Sequence, residues 1–361
     1  MQYSGKRRET KSFTIGDVGI GSAYPVSIQS MTNTDTHDAA ATLAQIRALE
    51  RVGCDVVRIT VPDVEAAKTV THLKENGVRI PVVADIHFDY RVALACAERG
   101  VDKIRINPGN IGDESRVRAV CDACRTRNIP IRIGVNGGSL EKSILARHGA
   151  PTAEALCESA FDHAALLERF DFSDIVLSIK ASDVPTMLTA NRLLAEKCDY
   201  PIHLGVTEAG NARMGSIKSA IGIGALLAEG IGDTVRVSLT ANPAEEIGAA
   251  RDILTALAIE GQSGMNVVSC PTCGRTKIDL IALAARFEDA ARAEGLLGLP
   301  LRVALMGCPV NGPGEAREAD IGICGGEGEA LLIKKGEILR KIPEGDVIDV
   351  LIAEIKNMTQ T

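Results

Sequence analysis

The feature of this sequence that most restricts its fold is a unit of a short β-branched segment followed by an amphipathic stretch, which occurs eight times in succession. Strands that alternate with helices predict parallel pairing with right-handed crossovers. Eight units in about 235 residues match the size of a (β/α)₈ barrel. The predicted strands are Val26–Met31, Val56–Val61, Pro81–Asp85, Lys103–Asn107, Ile131–Val135, Ile175–Lys180, Ile202–Thr207 and Thr234–Leu239.

The segments between these strands have apolar residues at positions i, i+3 and i+4, the spacing of a helix with one buried face. Typical predicted helices are Ala39–Val52, Val64–Asn76, Ala153–Arg169 and Ala244–Ile259. A doubly wound open sheet is the alternative, but no Gly-x-Gly-x-x-Gly follows the first strand. We therefore predict an α/β fold in which residues 1–259 form a TIM barrel, with a short hairpin at Ser12–Gly21.

Residues 266–361 are predicted to form a second, smaller domain after a glycine-bearing linker at Glu260–Met265. The region mixes strands and helices without the regular alternation of the barrel, which is typical of an α+β domain. The expected strands are Asn266–Ser269, Arg302–Met306, Ile321–Ile323 and Ala330–Lys334, and the expected helices are Ile278–Glu294 and Asp346–Met358. The cysteines discussed next lie in the turns of this domain.

These turns carry the pattern Cys270-Pro-Thr-Cys273, followed later by Cys308-Pro. A Cys-x-x-Cys pair and a distant Cys-Pro can bring three thiolates to one centre, as in iron–sulfur sites. Glu315 and Cys324 are the candidates for a fourth ligand. Four cysteines would suit a closed zinc or electron-transfer site, whereas three cysteines and a carboxylate suggest an iron that can release its ligand and meet a substrate. Soft thiolates suit both metals, and the pattern favours an iron–sulfur site over zinc.

Five barrel strands carry a cation at or near their C-terminal half. Buried cations are costly unless they are paired, and the carboxylates nearby are Asp85 and Glu208. Five cations against two carboxylates leave an excess that needs an anion. Barrels of this kind bind substrates at the strand C-termini, and arginine binds phosphate bidentately, so we predict a site for a diphosphate. The cations are Arg58, Arg105, Arg132, Lys180 and Arg236, and polar groups at the same strand ends are His87, Asn107, Asn136 and Ser238.

Composition and charge exclude several classes of function. The core must be aliphatic, because 45% of residues are hydrophobic but only 3% are aromatic. A formal net charge of −7 argues against non-specific nucleic-acid binding. No segment has the run of about 18 apolar residues that a membrane helix needs, and the N-terminus lacks the apolar core of a signal peptide. With ten cysteines and no secretory signal, the chain is predicted to be cytoplasmic.

Five motifs of this chain are specific enough to point to one family. They are Ser269-Cys-Pro-Thr-Cys-Gly-Arg275, Met306-Gly-Cys-Pro-Val-Asn-Gly-Pro-Gly-Glu315, Ala84-Asp-Ile-His-Phe-Asp89, Ile104-Arg-Ile-Asn-Pro-Gly-Asn110 and Gly205-Val-Thr-Glu-Ala-Gly210. These motifs closely resemble those of the 4-hydroxy-3-methylbut-2-enyl diphosphate synthase family. The resemblance extends from the N-terminal hairpin to the C-terminal helix, and two domains suit the short bacterial form, which lacks the middle domain of plant-type members.

The resemblance implies a [4Fe–4S] cluster on Cys270, Cys273 and Cys308, with Glu315 rather than Cys324 as the fourth ligand. It implies the two-electron reductive ring opening of 2-C-methyl-D-erythritol 2,4-cyclodiphosphate, with loss of water, in the non-mevalonate isoprenoid pathway. Flavodoxin or ferredoxin would donate the electrons. The five cations would hold the diphosphate, together with contacts from Asn107, Asn136 and Ser238. The candidates for handling the proton are Glu208, His87 and Asp85.

The linker also predicts a homodimer. Barrel helices run opposite to the strands, so the eighth helix delivers the chain at the face away from the substrate. The linker Glu260–Met265 spans at most about 20 Å, while climbing past a helix of about 15 residues takes about 22 Å. We therefore expect each cluster domain to cap the barrel of the partner subunit in a two-fold dimer, and the family resemblance implies the same arrangement.

Overall fold

The chain forms two compact units, residues 1–262 and residues 263–361. The structure is a computed structural model that describes residues 6–259, 261, 264–310 and 312–359. The predicted linker at Glu260–Met265 thus lies partly outside the described residues. No helix within these ranges is long and apolar enough to cross a membrane.

The first unit is a closed parallel barrel, which confirms the predicted (β/α)₈ fold. Eight strands pair in the order β8-β7-β6-β5-β4-β3-β10-β9, and a parallel bridge between Leu177 and Ile202 joins the two ends of this order. The barrel strands are β3 (Ser27–Met31), β4 (Val56–Thr60), β5 (Val82–Asp85), β6 (Lys103–Ile106), β7 (Ile131–Asn136), β8 (Ile175–Lys180), β9 (His203–Leu204) and β10 (Thr234–Val235).

Helices cover the outside of the ring, and most are capped at their N-termini by a short polar side chain. Seven such residues accept a hydrogen bond from the first turn of a helix of eight residues or more, which satisfies an otherwise free backbone N–H. They are Asp38, Asp89, Asp113, Thr152, Asp183, Asn211 and Asn242. The helices are α1 (Ala39–Arg51), α2 (Lys68–Glu75), α3 (Tyr90–Glu98), α4 (Pro108–Ile111), α5 (Glu114–Thr126), α6 (Lys142–His148), α7 (Ala153–Glu168), α8 (Val184–Lys197), α9 (Ala212–Ala228) and α10 (Pro243–Ala256).

Several predicted boundaries differ from the structure, and local contacts account for those of three elements. The strands β9 and β10 are shorter than predicted because their regular ladder ends early, although the Arg236 N–H still donates to the Leu204 carbonyl at 2.9 Å. Helix α2 begins at Lys68 instead of Val64. The preceding residues form a turn in which the Asp63 carboxylate accepts from the Ala66 N–H at 2.8 Å, a competing local arrangement typical of aspartate.

The predicted N-terminal hairpin is present as β1 (Phe13–Ile15) and β2 (Val18–Ile20). Ile15 and Ile20 are fully buried against Val56, Val83 and Val176. These valines are the first inward-facing residues of three barrel strands, so the hairpin closes the N-terminal end of the barrel with apolar side chains. The opposite end, where the strands finish, is left for polar residues.

The second unit is built on a five-stranded mixed sheet in the order β11-β12-β13-β14-β15. The strand β15 (Glu337–Pro343) was not predicted, because it is an exposed edge strand whose charged residues hide the alternation of a half-buried strand. The other elements are β11 (Asn266–Ser269), β12 (Arg302–Met306), β13 (Ile321–Gly325), β14 (Glu329–Lys334), α11 (Leu280–Ala293), α12 (Gly312–Glu315) and α13 (Val347–Thr359).

Candidate active site

The inner face of the barrel brings the predicted cations together at the C-terminal ends of the strands. Alternate residues of a strand point to the same side, and the ladder pairs Asp85 with Arg105 and Arg105 with Arg132. A cavity of about 270 Å³ opens there. Its lining includes all five predicted cations, Arg58, Arg105, Arg132, Lys180 and Arg236, together with Asp85, His87, Asn136 and Ser238.

Asp85 anchors two of these cations. Its Oδ1 lies 2.9 Å from Arg105 Nη1, and its Oδ2 lies 3.5 Å from Arg58 Nε. Burial would raise the pKa of Asp85, but Arg58, Arg105 and then Arg132 outweigh burial and bring that pKa to about 2. Asp85 is therefore a permanent carboxylate at neutral pH, and it fixes the orientation of two guanidinium groups.

Arg236 is paired by a residue that the sequence did not single out. Its Nη2 lies 3.2 Å from Glu246 Oε1, and Ser30 donates a hydrogen bond to the other carboxylate oxygen at 2.9 Å. The second carboxylate that faces the cations is thus Glu246 rather than Glu208, which pairs with none of the five among the described residues. Glu246 lies in the first turn of helix α10 and not at a strand end, so a search limited to strand ends misses it.

Met31 is another partner that was not foreseen. Its Sδ accepts hydrogen bonds from Arg58 Nε and Nη2 at 3.2 and 2.9 Å. Burial lowers the pKa of Arg58 to about 10, while Asp85 opposes this shift. The guanidinium thus keeps its charge at neutral pH, held between a thioether and a carboxylate.

Arg132 and Lys180 lack an ion pair within the described part of the chain. Arg132 is 1% exposed, and its Nε has no hydrogen-bond partner. Burial, followed by Arg236, Arg58 and the other arginines, holds the pKa of Lys180 well below its usual range. The cavity therefore contains more cationic groups than its two carboxylates can neutralise, which makes it a site for an anion with several charges.

Two glycines leave space for the side chains of Arg105 and Lys180. A Cβ at Gly134 would lie 2.5 Å from Arg105 Nε, and a Cβ at Gly205 would lie 2.8 Å from Lys180 Nζ. No side chain can be added at either position without displacing a cavity cation. The glycines thus allow long side chains to pack flat against strand β7 and the segment after β9.

Asn107 and Glu208 do not line the cavity. Asn107 is 3% exposed and caps helix α4, with its Oδ1 accepting from the Gly109 N–H at 3.1 Å. Glu208 is exposed and has a φ of +52°. A non-glycine residue in this left-handed region is strained, and such strain is concentrated at functional sites. Glu208 thus lies at the end of the segment after β9, outside the ring of cations.

The cysteine motif of the second unit lies at one edge of its sheet. Strands β11 and β12 are parallel neighbours, so Cys270 and Cys308, which follow them, emerge at the same edge. The Gly307 N–H donates to Cys270 Sγ at 3.3 Å, and the Lys277 N–H donates to the Gly307 carbonyl at 2.8 Å. These bonds tie the two cysteine-bearing turns together.

The thiols in this region fall into two environments. Cys273 is exposed, and a hydrogen bond from the backbone N–H of Arg275 lowers its pKa. Cys324 is fully buried on β13, beside Ala304, Met306 and Ala316. Burial raises the pKa of Cys324 to about 12, and the nearby Cys308, Cys270 and Glu315 raise it as well. Cys273 thus favours the thiolate form that binds metals, whereas Cys324 is held as a thiol.

This donor set fits an iron–sulfur group. Within the described residues, no three His, Cys, Asp or Glu side chains converge closely enough to hold a single metal ion. Cys270, Cys308 and Glu315 nevertheless lie close enough to act together on Cys324. Backbone N–H donation to a cysteine sulfur, as from Gly307 to Cys270, is a feature of iron–sulfur sites.

Comparisons with known proteins cover nearly the whole chain. Residues 10–251 match the GcpE TIM-barrel domain, and residues 266–357 match the GcpE protein C-terminal domain. The 4-hydroxy-3-methylbut-2-en-1-yl diphosphate synthase (flavodoxin) of Ruminiclostridium cellulolyticum is 56% identical over 353 residues, which cover 98% of this chain and 99% of that protein. The protein of the same name from Geobacter sulfurreducens is 53% identical over 352 residues, which cover 98% of each. The resemblance seen in the motifs is confirmed, and the chain belongs to the GcpE family, the iron–sulfur 4-hydroxy-3-methylbut-2-en-1-yl diphosphate synthases.

Proposed function

We propose that this protein catalyses the reductive ring opening and dehydration of 2-C-methyl-D-erythritol 2,4-cyclodiphosphate to (E)-4-hydroxy-3-methylbut-2-enyl diphosphate. The observation that carries the proposal is the cationic cavity at the C-terminal end of the barrel. Its five cations face two carboxylates, which suits a small ligand with several negative charges. Family membership supplies the reaction class.

In this proposal the barrel cations bind and orient the diphosphate. Arginine guanidinium groups bind phosphate oxygens bidentately. Asp85 holds Arg58 and Arg105 in a fixed orientation, and Glu246 does the same for Arg236. Arg132 and Lys180 pair with no carboxylate in the described part of the chain, so the ligand would be their counter-ion. Asn107, Asn136 and Ser238 are proposed as further substrate contacts.

We assign a [4Fe–4S] cluster to Cys270, Cys273, Cys308 and Glu315. When bound, such a cluster supplies electrons one at a time and a Lewis-acidic iron. Glu315 is exposed in helix α12, and it is the only carboxylate among four ligands of which three are soft thiolates. We therefore propose it as the displaceable ligand. Cys324 is left out because its buried thiol belongs to the hydrophobic core.

The proton that leaves with the substrate hydroxyl comes from His87 or Glu208 in this scheme. Asp85 was a third candidate, but a carboxyl group with a pKa of about 2 is not protonated at neutral pH. His87 lines the cavity. Glu208 lies in the segment after strand β9 and has a strained backbone conformation. Both side chains are exposed to solvent and can therefore exchange protons with water.

We further propose that the protein works in the cytoplasm as a homodimer, with flavodoxin or ferredoxin as the electron donor. The name of the similar proteins specifies flavodoxin, which supports the first of these donors. The proposal of a dimer rests on the expectation from the linker Glu260–Met265 and on the family resemblance.

Anaerobic turnover tests the proposed function. Protein purified without oxygen should be brown and should convert the cyclic diphosphate when given a strong one-electron reductant. Arg132→Ala and Lys180→Ala should weaken substrate binding by about 10- to 100-fold, because each removes a charge-assisted contact, and both should keep the cluster absorption. Loss of the cluster with unchanged substrate affinity in either variant would show that the barrel is not the diphosphate site.

A further inference from the structure

One buried cation of the barrel has no place in the site described above. Lys103 is the first residue of β6 and lies two residues before Arg105 on the inward face. Its side chain is 0% exposed, and its Nζ has no hydrogen-bond partner among the residues that the structure describes. Two residues of a strand rise about 7 Å, so Lys103 lies one layer below the cavity cations. An unpaired buried ammonium group is costly, so the residue calls for a functional explanation.

Within the described ranges, no carboxylate forms an ion pair with Lys103. Its ladder partner on β5 is Val83, which packs with Val56, Val176 and the hairpin. The charges that act on Lys103 are Arg132 and Arg58. Asp85, two residues beyond Val83 on β5, already binds two arginines. Among the described residues, the other titratable side chains that face the barrel interior are Arg58 on β4, Asp85 on β5, His87 after β5, Arg105 on β6, Arg132 on β7, Lys180 on β8, His203 on β9, Arg236 after β10 and Glu246 on α10.

The state of Lys103 depends on what occupies the cavity. Burial lowers its pKa well below the usual range, and Arg132 and Arg58 lower it further, so the free protein disfavours the ammonium form of this amine. A bound polyanion would neutralise the same two arginines and place negative charge above the amine. Both changes favour the ammonium form.

We propose that Lys103 becomes an additional cation of the substrate site only in the bound state: its amine takes a proton from solvent when a diphosphate occupies the cavity. The inference rests on the proposed function, since it requires a diphosphate in this cavity. The new ammonium group strengthens the attraction for the ligand in proportion to the ligand charge. Lys103 therefore contributes to the preference for a diphosphate over a singly phosphorylated ligand without touching either.

Calorimetric proton counting tests this inference. The oxidised holoenzyme is titrated with the cyclic diphosphate, without reductant, in buffers of different ionisation enthalpy. The wild type should take up protons on binding. Lys103→Met, which keeps the length of an unbranched side chain, should take up between about half a proton and one proton fewer and should bind about tenfold more weakly. Inorganic phosphate should lose less affinity than the cyclic diphosphate.

Gln29→Met is the matched control. Gln29 is also an inward-facing barrel residue, is 1% exposed and has no hydrogen-bond partner at either amide atom, but it cannot titrate. This variant should show the proton uptake of the wild type. Lys103→Met should melt no lower than the wild type, because the folded state no longer has to hold an amine that is charged when unfolded; Lys103→Gln provides the same measurement if the methionine variant fails to fold.

The outcomes separate the two proposals. Equal proton uptake in the wild type and in the Lys103 variant, with normal binding, would overturn the role of Lys103 and leave the diphosphate site intact. Absence of any binding to the wild-type holoenzyme would overturn the diphosphate site and this inference with it. A loss of proton uptake in the Gln29 control as well would show a packing effect instead of titration.

Discussion

At the scale of single residues, Asp85 organises the cavity. It accepts from Arg105 and faces Arg58 across 3.5 Å, so two of the five cations take their direction from one carboxylate. Breaking a buried pair leaves an uncompensated charge, which costs far more than the pair itself contributes. The negative charge on Asp85 is thus required to hold Arg58 and Arg105 in their orientations in the cavity.

The first prediction concerns the pH dependence of Asp85→Asn. Because the folded pKa of Asp85 is depressed to about 2, its stabilising effect is fully present above about pH 4, the ordinary aspartate range, and is lost as the pH falls toward 2. The variant should therefore be less stable than the wild type at pH 7 by about 3–5 kcal/mol, measured by denaturant unfolding.

The pH dependence of kcat/KM of the same variant is the second measurement. Since Asp85 does not titrate near neutrality, residual kcat/KM of Asp85→Asn should keep the acid limb of the wild type. A shift of that limb would identify Asp85 as the proton donor and contradict the orienting role.

The second prediction distinguishes the two candidates for the fourth cluster ligand. Cys324→Ser should keep the brown cluster and most of the activity, at a cost of about 1–2 kcal/mol in stability, because a hydroxyl replaces a buried thiol. Glu315→Gln should retain three thiolate ligands but lose most of the activity. Absorption spectra and iron content of the two anaerobically purified variants decide the matter. Loss of the cluster in Cys324→Ser, with Glu315→Gln unaffected, would reverse the assignment.

Some site residues can be recognised within a single segment of the sequence, whereas others become part of the site only through tertiary packing. Arg58, Arg105 and Arg132 could be predicted because a cation in a β-branched strand is visible in one segment. Glu246 and Met31 could not, because their roles arise only when α10 and β3 pack beside β10 and β4. Lys103 was visible in its strand, but that it pairs with no carboxylate of the described residues is a property of the closed barrel.

At the scale of elements, the barrel is closed at one end and open at the other. The hairpin β1–β2 fills the N-terminal end with Ile15 and Ile20, while the strand C-termini carry the cations. The hairpin and the eight units could be predicted from glycine turns and β-branched segments. The early end of the β9 and β10 ladders could not, since the backbone there adapts to tertiary neighbours that the segment itself does not reveal.

The third prediction assigns the hairpin to stability alone. Ile20→Ala removes a fully buried side chain and should lower the free energy of unfolding by about 2–4 kcal/mol. Affinity for the cyclic diphosphate should stay within about twofold, because the substitution lies at the end of the barrel away from the cavity. Thr14→Ala, at an exposed position of the same hairpin, is the matched control for unfolding. A strong loss of affinity in Ile20→Ala would mean that the two barrel ends are coupled.

At the scale of the whole molecule, two compact units divide the chemistry. The barrel unit holds the cationic cavity, and the second unit holds the cysteine edge. The last prediction is that a working site combines the barrel of one subunit with the cluster of the other. Two inactive proteins are mixed, Cys270→Ala and the double variant Glu208→Gln with Lys180→Ala, and subunits are allowed to exchange anaerobically.

If sites form between subunits, a mixed dimer pairs the intact barrel of the first variant with the intact cluster of the second. Random exchange makes half of the dimers mixed, with one competent site each, so activity should rise from near zero to about a quarter of the wild-type value. If each chain used its own cluster, no mixed dimer would hold a competent pair, because one chain lacks the cluster ligand and the other lacks the barrel residues. Mass spectrometry of differently tagged subunits verifies the exchange. Verified exchange without restored activity, or full activity from a monomer, would show that one chain suffices.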